Sequence, residues 1–149
     1  MDRIGVRGGR ASSRRDDPPR ATMARVSSTY LHGYRFEECD RLRRQAEFLA
    51  SKVHEALPFA SCRRLLELGC GVGAQSEILL RDFPSLHLVG VDVSPAQVEA
   101  ASRRVGALYP GRTDFLCADA RRTGLGGRSF DGAFLCWVLE HVSDPLAVL

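Results

Sequence analysis

The chain has 149 residues, 44% of them hydrophobic and 26% charged, with a formal net charge of +3. That composition supplies one apolar core and caps the chain at one domain. The positive charge is local: residues 1–25 hold Arg3, Arg7, Arg10, Arg14, Arg15, Arg20 and Arg25 against Asp2, Asp16 and Asp17, so the rest is near neutral and lacks the basic face of a dedicated nucleic-acid binder.

Residues 1–28 combine Gly, Arg, Ser and Pro with almost no large apolar side chain, so they cannot offset the entropy of ordering and are expected to form a disordered basic tail. Met23 stands just ahead of the first folded-looking residues, which makes the upstream stretch a dispensable tail or a misassigned start. The domain is expected over residues 29–149. Its first element is an amphipathic helix over residues 37–57: Leu42, Ala46, Leu49, Val53 and Leu57 recur at three- and four-residue steps, Glu37 precedes Arg41 by four and Asp40 precedes Arg44 by four, and Pro58 ends it.

From residue 63 onward, short apolar runs alternate with helical stretches. Residues 64–68, 86–91, 114–118 and 130–137 read as strands, and residues 74–83 and 95–108 as helices. The second of these helices carries clear start signals. Ser94 stands at its cap, Pro95 at its first position and Gln97 where a capping box needs it; Val98, Ala101, Ser102, Val105 and Leu108 form the expected inward face. Alternating strands and helices imply right-handed crossovers and hence an α/β, doubly wound parallel sheet of Rossmann-like type.

The most informative segment is Glu67-Leu68-Gly69-Cys70-Gly71-Val72-Gly73, between the first strand and the next helix. Glycines there permit a tight turn and a close ligand approach, while a helix N-terminus presents unpaired N–H groups. Gly69, Gly71 and Ala74 also satisfy a dinucleotide fingerprint, and Asp92 stands where that fingerprint expects a ribose-binding acid. Glu67 tilts the balance: a carboxylate at the end of the first strand, beside the ligand, would repel a pyrophosphate and suit a cationic, amino-acid-bearing ligand. Asp119, an acid at the end of the third strand, supplies an acceptor for an adenine amino group, which the nicotinamide fingerprint does not require. Ligands of such sheets bind outside the carboxyl ends of the strands, where these residues fall.

In this ordered set the chain resembles the class I S-adenosylmethionine-dependent methyltransferases, especially the small-molecule group that includes ubiquinone and menaquinone biosynthesis enzymes. Residues 65–73 look like their first motif, residues 89–95 the second, residues 118–120 the third, and residues 130–131 through 139–145 the fourth. The resemblance covers residues 30–149. It implies S-adenosyl-L-methionine as cofactor, with Glu67, Gly69, Cys70, Gly71 and Gly73 around the methionine moiety, Asp92 on the ribose, Val93 on the apolar face of the adenine, and Asp119 with Ala120 at the adenine. Cys136, Trp137 and Val138 would lie alongside the cofactor, and Tyr30 and Tyr34 in the region that closes over it. It also implies a strand order of 3-2-1-4, to which similar enzymes add further strands after a helix. The chain ends at Leu149 inside that helix, so the expectation is a truncated, inactive fragment with its fourth strand exposed for self-association.

Methyl transfer from a sulfonium needs alignment and water exclusion, and a base only if the acceptor must lose a proton. No catalytic residue is assigned: His141 reads as structural, Asp131 as the start of a strand and Cys70 as a small buried residue. Cys39, Cys62, Cys70, Cys117 and Cys136 are odd in number and form no paired-cysteine motif, and His32, His54 and His87 lack ligand spacing, so neither a disulfide framework nor a metal is expected. No apolar run approaches the roughly 20 residues of a membrane span, and a cytoplasmic protein acting on a small-molecule acceptor is expected. RNA stays open as a partner through the Arg-rich tail, without an aromatic-and-basic motif to support it. Two rivals remain: a nicotinamide-dinucleotide-binding oxidoreductase, and a non-catalytic remnant that binds cofactor or a partner.

Overall fold

A computed structural model describes residues 36–126 and 129–149; the tail 1–28, Tyr30 and Tyr34 lie outside them. The first helix, α1 (Phe36–His54), places Ala46 and His54 in the interior, with Leu42, Leu49 and Val53 half-buried beside them. Asp40 pairs with Arg44 at 2.7 Å as the spacing predicts, whereas Arg41 turns back to Glu38, with bonds of 2.6 and 2.9 Å. The helix stops three residues before the expected Leu57. Proline disfavours helical geometry at the residue before it, so the chain leaves through a turn in which the Leu57 N–H donates to the His54 carbonyl at 3.2 Å.

Four strands follow: β1 (Arg64–Leu68), β2 (His87–Asp92), β3 (Thr113–Cys117) and β4 (Gly132–Leu135). All pairings are parallel and the order is β3-β2-β1-β4, as expected from the resemblance. Between them lie α2 (Ala74–Asp82) and α3 (Pro95–Leu108). β2 is continuously buried over Leu88–Val91, the signature of a strand covered on both faces. The core gathers Leu65, Leu79, Leu80, Leu86, Leu88 and Val105 with Phe59 and Phe134, whose rings meet edge-on at 6.4 Å.

The α3 cap differs from the expected box in one half. Ser94 Oγ accepts from the Gln97 N–H at 3.5 Å, but the Ser94 N–H donates to Asp92 Oδ1 at 2.9 Å, not to the Gln97 side chain. The buried face of α3 is also rotated from the expected one. Gln97, Ala101 and Val105 are buried, Ser102 is exposed and Leu108 is 56% exposed, because Tyr109, just past the helix, packs on the core in its place.

β4 is half the expected length. Asp131 ends it at the front, where its Oδ2 accepts the N–H groups of Arg63 and Arg64 at 2.7 and 2.8 Å, and the Asp131 N–H donates to the Arg64 carbonyl. Those backbone bonds, Arg64 first, hold the Asp131 carboxyl below the usual range. Trp137 ends it at the back, with a left-handed φ of 58°. β4 is followed by two single 3-10 turns, Leu139–His141 and Pro145–Ala147.

On the far side of the molecule, Arg112 donates to three carbonyls, Leu80 (3.0 Å), Phe83 (2.9 Å) and Leu86 (3.0 Å), and lies over the Tyr109 ring. It closes the end of α2 and the turn into β2. The N-terminal helix is tied to α2 by His54, whose Nε2–H donates to Gln75 Oε1 at 2.6 Å, and by Arg81 on Glu47 at 2.9 Å. Among the described residues no helix is long and apolar enough to cross a membrane, and no group of three or more His, Cys, Asp or Glu is arranged to hold a metal ion.

Candidate active site

The carboxyl edge of the sheet is organised by the glycine loop. Gly69, Gly71 and Gly73 have φ of 72°, 55° and 76°, the left-handed region that glycine enters without steric cost. At Gly69 the need is double, since a Cβ would sit 2.5 Å from Val138 Cγ2. The loop is fastened to β2: the N–H groups of Gly69 and Cys70 both donate to the Val91 carbonyl, at 2.8 and 3.0 Å, and the Gly71 N–H donates to Asp92 Oδ2 at 2.9 Å.

The side chain of Glu67, expected beside the ligand, is buried. It is 2% exposed, paired in register with Gly90 and Phe134, and it accepts Ser76 Oγ–H at 2.5 Å. Strand alternation turns this side chain into the layer under α2 instead of out of the sheet edge. Burial pushes its carboxyl up to about 8, against the opposing bond from Ser76, and the Asp92 charge pushes the same way. The neighbouring Cys70 thiol, 5% exposed, is driven above the thiol range by burial and then by Glu67 and Asp92, and Cys136 rises to about 11 by burial and Glu67. A thiol held protonated is not a nucleophile.

Asp92 and Asp119 both fall at strand ends on this edge, but with different freedom. Each Asp92 oxygen accepts one backbone N–H, from Ser94 and Gly71, and keeps further acceptor capacity. Asp119 is gripped by Arg121, whose guanidinium and backbone N–H both bond to it. Those bonds hold the Asp119 carboxyl down at about 2. Val93 and Trp137, 58% and 45% exposed, present apolar surface at the ends of β2 and β4. Ala120 follows Asp119 and is half-buried, and His141 is half-exposed in its 3-10 turn with Glu140 at 3.5 Å.

Residues 65–149 match the family described as a methyltransferase domain. The chain belongs to that family. The methyltransferase assignment takes one side of the ambiguity in the glycine spacing, and it extends to named relatives. The domain is 31% identical over 114 residues to an O-methyltransferase of Aspergillus nomiae, covering 76% of this chain and 50% of that protein. It is 38% identical over 94 residues to a ubiquinone biosynthesis O-methyltransferase of Cereibacter sphaeroides, covering 62% and 36%. The solved O-methyltransferase family protein from Burkholderia thailandensis superposes with a TM-score of 0.63 at 25% identity, covering 73% of this chain and 33% of that one. The methyltransferase chain thus spans half or less of the relatives it matches, and the likeness does not single out the ubiquinone and menaquinone group.

Two side-chain partners of the assigned acids, Ser76 and Arg121, were missed from sequence. Ser76 is three residues past Gly73, on the helix face that a register with Glu67 would have exposed as a partner. Val138, expected from the resemblance alongside Cys136 and Trp137, fills the space a side chain at Gly69 would need. Arg121 is the simplest omission, a cation two residues from the assigned acid.

Proposed function

We propose that this chain binds S-adenosylmethionine at the carboxyl edge of its sheet and serves methyl transfer to a small-molecule acceptor. The observation that carries the reading is Asp92: it anchors the glycine loop through Gly71 and still has acceptor sites for two ribose hydroxyls. The residues present fit such a cofactor. Gly69, Cys70, Gly71 and Gly73 give an open loop for the methionine moiety, Val93 an apolar face for the adenine, Asp119 and Ala120 its polar edge, and Cys136 and Trp137 a wall at the end of β4. Glu67 acts from beneath the loop, as the buried negative charge available to a cationic ligand once it ionises.

The bound cofactor would supply an activated methyl group on a sulfonium. The protein's part is to fix the ribose through Asp92, to hold the loop against β2, and to align an acceptor; such alignment lowers a barrier by as much as ~7–11 kcal/mol. The names of the two O-methyltransferase relatives favour an oxygen acceptor of small size. Calorimetry with S-adenosylhomocysteine tests the reading. Asp92→Asn keeps an acceptor for the loop but removes the charge, and its affinity is expected to fall by about 1.5–3 kcal/mol, roughly tenfold or more. Unchanged affinity in a variant with unchanged melting would overturn the ribose assignment, and tighter binding of a nicotinamide dinucleotide would restore the oxidoreductase reading.

A further inference from the structure

The two carboxylates of the site differ in what they have left to offer. A carboxylate has about four lone-pair positions. Asp92 spends two, one on each oxygen. Asp119 spends more, and on one residue, which brings three N–H donors: Oδ1 accepts the Arg121 backbone N–H at 2.9 Å, Oδ2 accepts Nη2–H at 2.5 Å, and the single Nε–H is shared between them at 3.0 and 3.2 Å. The turn is closed beneath by the Arg122 N–H on the Asp119 carbonyl at 2.8 Å, so the backbone holds Arg121 over the acid. An adenine amino group arriving at Asp119 therefore meets an acceptor whose outer face is already taken by a guanidinium.

We infer that Arg121 is a specificity-determining latch on the nucleobase subsite, which an adenine amino group must displace from Asp119 before it can bind there. The inference rests on the assignment of Asp119 to the adenine. Both side chains are partly exposed, 42% for Arg121 and 38% for Asp119, so the latch is weak enough for a ligand to open. The latch discriminates by chemistry. A base with a donor at this position replaces what it removes, whereas a base with a carbonyl there has nothing to give Asp119 and leaves Arg121 in place.

Calorimetry on the full chain with S-adenosylhomocysteine and its deaminated analogue S-inosylhomocysteine tests this. Arg121→Ala is expected to tighten S-adenosylhomocysteine by about two- to fivefold, the range of an exposed ion pair, and to leave the deaminated analogue no tighter. Raising salt from about 0.1 M to about 1 M cuts the screening length from about 10 Å to about 3 Å, so the advantage of the variant over the wild type should shrink. Equal or weaker binding of S-adenosylhomocysteine by Arg121→Ala would overturn the latch. Asp119→Ala, which removes the acceptor altogether, separates the two layers of the argument: if it leaves S-adenosylhomocysteine binding unchanged, the adenine assignment itself is wrong. If it weakens binding while Arg121→Ala does not strengthen it, only the latch is wrong.

Discussion

Replacing Glu67 by glutamine should change how stability depends on pH more than how large it is. The folded carboxyl keeps its proton up to about 8 because burial opposes its ionisation, whereas an unfolded chain gives it up near the ordinary 4.5. Between those values the folded state holds more protons than the unfolded one, so raising the pH removes stability. The loss begins above 4.5 and is complete by about 8, at a slope of at most about 1.4 kcal/mol per pH unit, or on the order of 2–3 kcal/mol between about pH 5 and pH 7. A glutamine keeps an oxygen to accept from Ser76 Oγ–H and does not titrate. The groups that act on Glu67 are Ser76, Cys70, Cys136 and Asp92, and the thiols stay protonated over this window. Urea unfolding of both proteins across the window should give curves that diverge with rising pH, the Glu67→Gln chain becoming the more stable toward pH 8. Parallel curves would refute the argument, since histidines and surface acids contribute equally to both.

Gly69→Ala forces a side chain into left-handed backbone and onto Val138, so a loss of at least about 1–2 kcal/mol from the backbone alone is expected. Adding Val138→Ala should recover only part of it, a double-mutant cycle in urea being the check. Arg112→Met leaves the carbonyls of Leu80, Phe83 and Leu86 without their charged donor, and the urea midpoint should drop by the equivalent of about 1–3 kcal/mol with an unchanged slope.

The elements legible in the sequence were those whose signals are local. β1 and α3 carry their boundaries in an apolar run and in a Ser94-Pro95 start, and both occupy the expected residues. The strand order followed from the resemblance and not from any local pattern. What was not legible depends on residues far apart in the chain. Asp131 shortens β4 because it reaches back to Arg63 and Arg64, and no pattern within 130–137 announces that contact. The burial of Glu67 was not legible either, since a carboxylate in a strand reads as exposed until its partner, Ser76 on α2, is seen above it. The α3 face rotated because Tyr109 took the position expected of Leu108, a choice made by packing alone.

The Val91 carbonyl, shared by the N–H groups of Gly69 and Cys70, makes the glycine loop an appendage of β2 as much as of β1. A loop attached in that way cannot open by itself. Freeing its amides breaks the last tie of the central strand pair, so in hydrogen exchange the Gly69 and Cys70 amides should behave as members of the sheet's own cooperative unit, not as loop amides. A ligand held by that loop would draw on the stability of the whole sheet for its residence time.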